Sequence, residues 1–349
     1  MPEPMALRRA PEPSPVGDRD GVSSPGGFGD RLAERVLGRQ SQLVLGLDPD
    51  PVRLWPAAVE AAAGAGTVAP RGAAEAGSAA KAAAAAVAAR AAAAVSAHCA
   101  LAIEAAGEHC VAVKLQVACF ERLGAPGWSA LSEVSRCARE HGLLVIADAK
   151  RGDIEVTAAA YGQAFLGDTP TVFGPVAGLG ADALTANPLL GVDSLRPLAE
   201  AARGHGAGLF VLVRTSNPGA GDVQELALSG GGTVSERLAA IVAELGETGR
   251  GRAGITDIGA VVGATAPQRL EALRRIMPHA AFLLPGIGAQ GGQVDTLAAA
   301  FRPGPAGGLI SASRGIVDAH ERTGGDPGDA ARREAARLRE LAWTLAEAS

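Results

Sequence analysis

Residues 143–154 read LLVIADAKRGDI, and the fold class turns on how this stretch is understood. Five apolar residues in a row, Leu143 to Ala147, predict a buried strand, and Asp148, Lys150 and Asp153 follow directly at its end. A strand that is apolar on both faces belongs inside a parallel sheet covered by helices. In such sheets, the residues just past the carboxyl ends of the strands face the crevice where ligands bind. Taken alone, Asp-Ala-Lys-Arg-Gly-Asp would suit a solvated turn equally well. The choice depends on whether other strands of the chain end the same way.

They do. Leu43–Leu47 ends in Asp48, Val111–Lys114 in its own lysine, Ala183–Asn187 in Thr185 and Asn187, and Leu209–Arg214 runs into Thr215, Ser216 and Asn217. Gly259–Gly263, Phe282–Leu284 and Gly308–Ser311 complete the set, the last two running into PGIGAQGG and ASRG. Helical patterns separate the strands, at Phe28–Arg39, Trp128–Glu140, Glu155–Leu166 and Val234–Leu245. Another follows Asp326, which reads as an N-cap with Pro327 at the first helical position and Leu338, Leu341 and Leu345 on one face. Strands alternating with helices in this number predict a (β/α)8 TIM barrel, in which polar residues at the strand ends converge on one rim. Asp48, Lys114, Asp148, Lys150, Asn187, Ser216, Gln290 and Arg314 are the residues placed there.

Composition narrows the rest. The chain has 349 residues, 48% of them apolar but only 3% aromatic, so a large core must be built from Ala, Val, Leu and Ile. A formal charge of -5 shows no basic stripe of the kind nucleic-acid binding needs. Cys99, Cys110, Cys119 and Cys137 lack metal-binding spacing and are expected to be reduced, mostly buried thiols. Residues 1–27, rich in Pro, Gly and charge, are expected to form a disordered tail without a secretory signal, ahead of a single barrel domain over 28–349. An Ala-rich insertion at about 57–97 has a first half that reads as low-complexity without a chemical role and a second half, Ser78–Val95, of high helix propensity. The most apolar long window, Ala82–Ile103, contains Arg90 and His98, which argues against a transmembrane span. The expected setting is therefore cytoplasmic, with neither membrane nor nucleic acid as partner.

Two motifs need weighing. Gly286–Gly291 spells GxGxxG, but it lies late in the chain and no acidic residue ends a further strand about 20 residues on, which argues against a dinucleotide site. Phosphate binding is a better use of these glycines, with exposed N–H groups and the Arg314 guanidinium beside them. The histidines 98, 109, 141, 205, 279 and 320 fall away from the strand ends and read as structural or exposed. With no Ser-His-Asp arrangement apparent, acid and base work falls to lysine and aspartate.

At these residues the chain resembles the orotidine 5'-phosphate decarboxylase family, in particular its longer bacterial branch. LGLDPDP, VAVKLQVACFERLG, ADAKRGDI, LTANPLLGVDSL, VRTSNPGA, LLPGIGAQGG and ISASRG occur in the family's order from about Phe28 to Ile316, the Ala-rich insertion excepted. The resemblance implies decarboxylation of orotidine 5'-phosphate to UMP and CO2, the last step of de novo UMP biosynthesis, with no cofactor and no metal. It also implies roles. Lys114, Asp148, Lys150 and Asp153 match the family's charged array, in which Lys150 protonates C6 of the pyrimidine. Asp48 and Lys114 match residues that hold the ribose hydroxyls, Ser216 the residue that reads the pyrimidine edge, and Gln290 and Arg314, beside Ser313, the phosphate grip. Asn187 falls within the substrate-binding set. The family is a homodimer with shared active sites, so Asp153, Ile154 and Thr157 would serve the partner's pocket.

The chain departs from the family at Leu115, where a proline usually follows the second-strand lysine, and in the length of the Ala-rich insertion. Two other readings stay open. A metal-dependent sugar-phosphate decarboxylase or aldolase would use the same barrel but needs a carboxylate set not evident here beyond Asp-Lys-Asp itself. A non-catalytic phosphate-ligand barrel would have no need for a buried charge cluster.

Overall fold

The computed structural model describes residues 26–64, 76–288 and 291–349. The expected tail (1–27) falls almost wholly outside them, as do Gln290 and the middle of the Ala-rich segment. Among the described residues a closed parallel barrel runs β1 (Leu43–Leu47), β2 (Ala112–Gln116), β3 (Leu144–Arg151), β4 (Ala183–Ala186), β5 (Gly208–Arg214), β6 (Ile258–Val262), β7 (Phe282–Pro285) and β8 (Gly308–Ala312). Each strand pairs with its neighbours in chain order, and β8 closes on β1 through Leu43 opposite Ile310. The (β/α)8 expectation is met, and all eight predicted strands are present.

Alternation explains why the strands are apolar throughout. Val44, Ala112, Leu144, Ile146, Ala183, Phe210, Val261, Leu283 and Leu309 fill the barrel interior. Leu43, Leu45, Val113, Val145, Leu184, Val211 and Ile258 face the surrounding helices instead. Both faces are dry, so no polar alternation survives in the sequence. The bottom of the barrel is plugged by Phe28, the first residue of α1 (Phe28–Arg39), whose ring meets Phe210 edge-on at 5.9 Å. Gly208 makes room for it, because a Cβ there would lie 2.4 Å from the Phe28 ring.

The Ala-rich segment forms α2 (Pro56–Gly64) and α3 (Ala76–Ala106). Residues 80–109 are apolar and long enough, by composition alone, to cross a membrane. Here the later turns of α3 are instead part of the barrel's helical layer, with Val95, Cys99, Ala102, Ile103 and Ala106 buried among strand side chains. The turns from Ala80 to Ala91 are largely exposed. A two-stranded ribbon, Asp168–Thr169 with Val176–Ala177, was not expected from sequence; it lifts Val172 and Phe173 almost fully into solvent. Cys99 and Cys110 are buried and Cys119 and Cys137 partly so, all four as free thiols.

Arg274 ties the lower rim together. It sits on the helix Pro267–Ile276, is only 3% exposed, and meets no carboxylate among the described residues. Its guanidinium donates to the carbonyls of Met277, Ala280, Ala300 and Gly307 at 2.7–2.8 Å and stacks 3.7 Å from the Phe282 ring centroid. Hydrogen bonds from charged donors contribute about 1.5–3 kcal/mol each, and the four carbonyls have no water to turn to. Arg274→Met is therefore expected to lower unfolding stability by about 3 kcal/mol or more, read as a drop in urea midpoint at unchanged slope. Arg274→Lys should recover only part of the loss, since one ammonium cannot span four acceptors. A midpoint within error of the parent would refute the assignment.

Candidate active site

Asp148 is the centre of the rim. It lies near the end of β3, 6% exposed, and both its oxygens are fully engaged. Oδ2 accepts from the Lys114 ammonium at 2.7 Å and the Gln116 amide at 3.2 Å. Oδ1 accepts from the Lys150 ammonium at 2.7 Å and the Thr185 hydroxyl at 2.9 Å. Lys114 is also buried, with its ammonium 3.6 Å from Asp48. Burial alone would push the Asp148 carboxyl up, but the Lys114 and Lys150 charges outweigh it and hold it well below the usual carboxylate range. Burial would likewise strip Lys114 of its proton, and Asp148 and Asp48 reverse that, raising it above the ordinary lysine value. Both groups stay charged throughout the neutral range.

Local backbone geometry places Lys150. A regular strand would send residues 148 and 150 to the same side in step, but the β3–β4 register breaks between Ala147 and Arg151. Lys150 takes φ +50°, a left-handed conformation uncommon for a lysine. Its backbone N–H donates to Thr185 Oγ1 at 2.9 Å, and the side chain folds back onto Asp148. Strain of this kind costs on the order of 1 kcal/mol and persists only where neighbours enforce it.

A cavity of 390 Å³ opens over this array, lined by Asp48, Lys114, Asp148, Lys150, Ser216, Ser313 and Arg314 among others. Seven of the residues singled out from sequence thus meet in one place. Two glycines let the loops approach: a Cβ on Gly46 would lie 2.7 Å from Ser313 Cβ, and one on Gly263 would lie 2.7 Å from the Ser216 Cα. Arg314 is exposed at the cavity edge and makes no ion pair among the described residues. Leu212, Val261 and Leu283 form an apolar floor.

Other predicted residues are placed elsewhere. Asp153 accepts from the Ile154 N–H at 2.8 Å and does not line the cavity. Ile154 and Thr157 are exposed at the start of the helix Glu155–Leu166. Asn187 is exposed, its amide oxygen accepting from the Leu189 N–H at 3.0 Å, so its side chain turns the chain rather than facing the cavity. Gln290 lies outside the described residues. No histidine lines the cavity. Sequence reasoning missed Gln116 and Thr185 as partners of Asp148; both stand at strand ends, which was the available signal. A larger cavity of 720 Å³, between Ile287, Gly288 and residues 292–295 on one side and the C-terminal helix on the other, lacks any such array, and its Arg337 is paired with Glu334 at 2.7 Å.

Comparison with known proteins agrees with this geometry. Residues 41–325 match the model of the orotidine 5'-phosphate decarboxylase / HUMPS family. Orotidine 5'-phosphate decarboxylase of Rhodopirellula baltica is 47% identical over 210 residues, covering 60% of this chain and 68% of that protein. The Halorubrum lacusprofundi enzyme of the same name is 36% identical over 325 residues, covering 89% and 98%. The solved structure of Leishmania donovani OMP decarboxylase superposes with a TM-score of 0.63 at 31% identity, covering 90% of this chain and 99% of that one. With its barrel, its rim array and these relatives in agreement, the chain belongs to the orotidine 5'-phosphate decarboxylase / HUMPS family.

Proposed function

We propose that this protein decarboxylates orotidine 5'-phosphate to UMP and CO2, the last step of de novo UMP synthesis, without a cofactor. The observation that carries the reading is Asp148 held between two lysine ammonium groups at 2.7 Å beneath an open cavity. Loss of CO2 from C6 leaves an electron pair on carbon with no cofactor to accept it, so fixed charges must stabilise it. An ammonium about 4 Å away contributes on the order of 4 kcal/mol at an effective dielectric of 20, and more as water is excluded. Lys150 then gives a proton to C6 and regains one from water.

The remaining roles are those the family resemblance implies. Asp48 and Lys114 hold the ribose hydroxyls, Ser216 reads the pyrimidine edge, and Arg314, beside Ser313 and joined by Gln290, grips the phosphate. Contacts to the phosphate, far from C6, supply binding energy to the chemical step. In the same reading Asp153, Ile154 and Thr157 serve a second copy's pocket in a homodimer. Supporting this, the apolar residues Ile154, Val156, Phe173 and Leu189 are each exposed, by 49–97%. The metal-dependent alternative is less well supported, since among the described residues no three His, Cys, Asp or Glu side chains are grouped to hold an ion.

Three outcomes are expected. Purified protein should deplete orotidine 5'-phosphate absorbance at a rate indifferent to EDTA; loss of turnover with chelator would move the assignment to metal chemistry. Lys150→Ala should lower kcat by at least about a thousandfold while keeping UMP affinity within about tenfold, whereas near-normal rates would remove Lys150 as proton donor. Mixed Lys150→Ala and Asp153→Ala chains should regain activity, because one hybrid site holds both native residues. Exchange of subunits without any recovery would contradict a shared site.

A further inference from the structure

The loops after β1 and β8 carry Asp48 and Arg314 and leave the barrel at the same corner. A 240 Å³ cavity lies between them, bordered by Asp48, Arg53, His98, Ser313, Arg314 and Asp318. Trp55, at the end of the first loop, reaches across: its indole N–H donates to the Val317 carbonyl at 3.1 Å, closing on the short helix Arg314–Val317. Arg53 adds an ion pair to Glu321 at 2.5 Å. On the other side, His98 of α3 accepts the Trp55 backbone N–H on Nδ1 at 3.1 Å and packs edge-on against the indole at 5.4 Å. Trp55 is 5% exposed and His98 4%, yet neither lines the substrate cavity.

An Nδ1 that accepts requires a neutral imidazole with its proton on Nε2. Burial keeps it so, pushing His98 down to about 4, with His320 adding to the shift. The buried indole can donate to only one acceptor, and it is spent on a carbonyl of the Arg314 helix. The two loops are therefore fastened to one another through the Trp55 indole, which His98 holds from behind, with the Arg53–Glu321 ion pair at the exposed side.

We propose that Trp55 and His98 are positioning residues that hold Asp48 and Arg314 in fixed registry, so that ribose and phosphate are gripped together. This rests on the reading of Asp48 and Arg314 as substrate contacts. It also gives the Ala-rich region a task at the site, because His98 stands on the helix that region forms.

The test is a double-mutant cycle on UMP affinity by titration calorimetry, using Trp55→Phe, which keeps an aromatic ring and removes the N–H, with Arg314→Ala. Trp55→Phe alone should weaken UMP about tenfold, the equivalent of one good hydrogen bond's worth of misplacement. In the Arg314→Ala background the same change should cost less than about twofold, because no phosphate grip remains to be misplaced. Losses that simply multiply would overturn the clamp, as would Trp55→Phe leaving UMP affinity intact while Arg314→Ala weakens it. If Arg314→Ala itself changes nothing, the phosphate assignment fails, and the clamp with it. His98→Asn, which restores an acceptor, should bind UMP like the parent, and His98→Leu should not; equal affinities would remove His98 from the device. Should Trp55→Phe not fold, the His98→Leu change takes its place in the cycle.

Discussion

A carboxylate buried at the mouth of a barrel is a constraint before it is a catalytic device. Asp148 loses its water, and an unpaired charge there would cost more than the fold can spare. Four donors replace that water, Lys114 and Gln116 from β2, Lys150 from β3 itself and Thr185 from β4. The pairing of Gln116 opposite Asp148 across β2 and β3 is thus more than a ladder contact. A slip of one residue would turn Lys114 and Asp148 out of the barrel and leave each without its counter-charge. Register, burial and ionisation state are set together.

Satisfying the carboxylate so completely has a dynamic consequence. With every lone pair engaged, Asp148 cannot swing to accommodate a ligand, and Lys150 is held on the array by both its backbone and its ammonium. The strained backbone at Lys150 is stable only because Thr185 takes its N–H and Asp148 its charge. Charges fixed in this way need no reorganisation when negative charge moves, which is where electrostatic catalysis gains most. Gly46 and Gly263 perform a related service at the rim, leaving space into which Ser313 and Ser216 settle.

What could be read from the sequence divides along physical lines. Strands buried on both faces announce themselves as apolar runs, so the barrel and the residues at its strand ends were legible. The family motifs added roles that spacing alone does not carry. Partners that act through a backbone irregularity were not legible: nothing in ADAKRGDI marks the register break or the left-handed turn that brings Lys150 back onto Asp148. Arg274 was invisible for a different reason. Its partners are four carbonyls scattered over residues 277–307, and carbonyls have no letter in the sequence. In the Ala-rich segment the helix over Ser78–Val95 was legible from propensity but its packing was not, because alanine shows no hydrophobic periodicity and the buried face of α3, with Val95, Cys99 and Ile103, did not stand out from its exposed turns.

The placement of Asp153 bears on the electrostatics of the proposed reaction. Within one chain the array holds two carboxylates, Asp48 and Asp148, against two ammonium groups, Lys114 and Lys150, and is formally balanced. On the proposed reading, a substrate bearing a carboxylate beside such a balanced site would gain little net attraction at that end, and its binding would come mainly from the phosphate and ribose side, where Arg314 stands exposed. As CO2 departs, the negative charge moves from the carboxylate to C6, and a fixed ammonium there favours the later state over the earlier one. A further carboxylate supplied by a second copy would make the site's bias against the bound carboxylate stronger still, without disturbing the donors that Asp148 requires. Division of the machinery between two chains would therefore be compatible with burial: each barrel satisfies its own buried charges, and a charge lent by Asp153 would come from a partly exposed loop at little cost to its own fold.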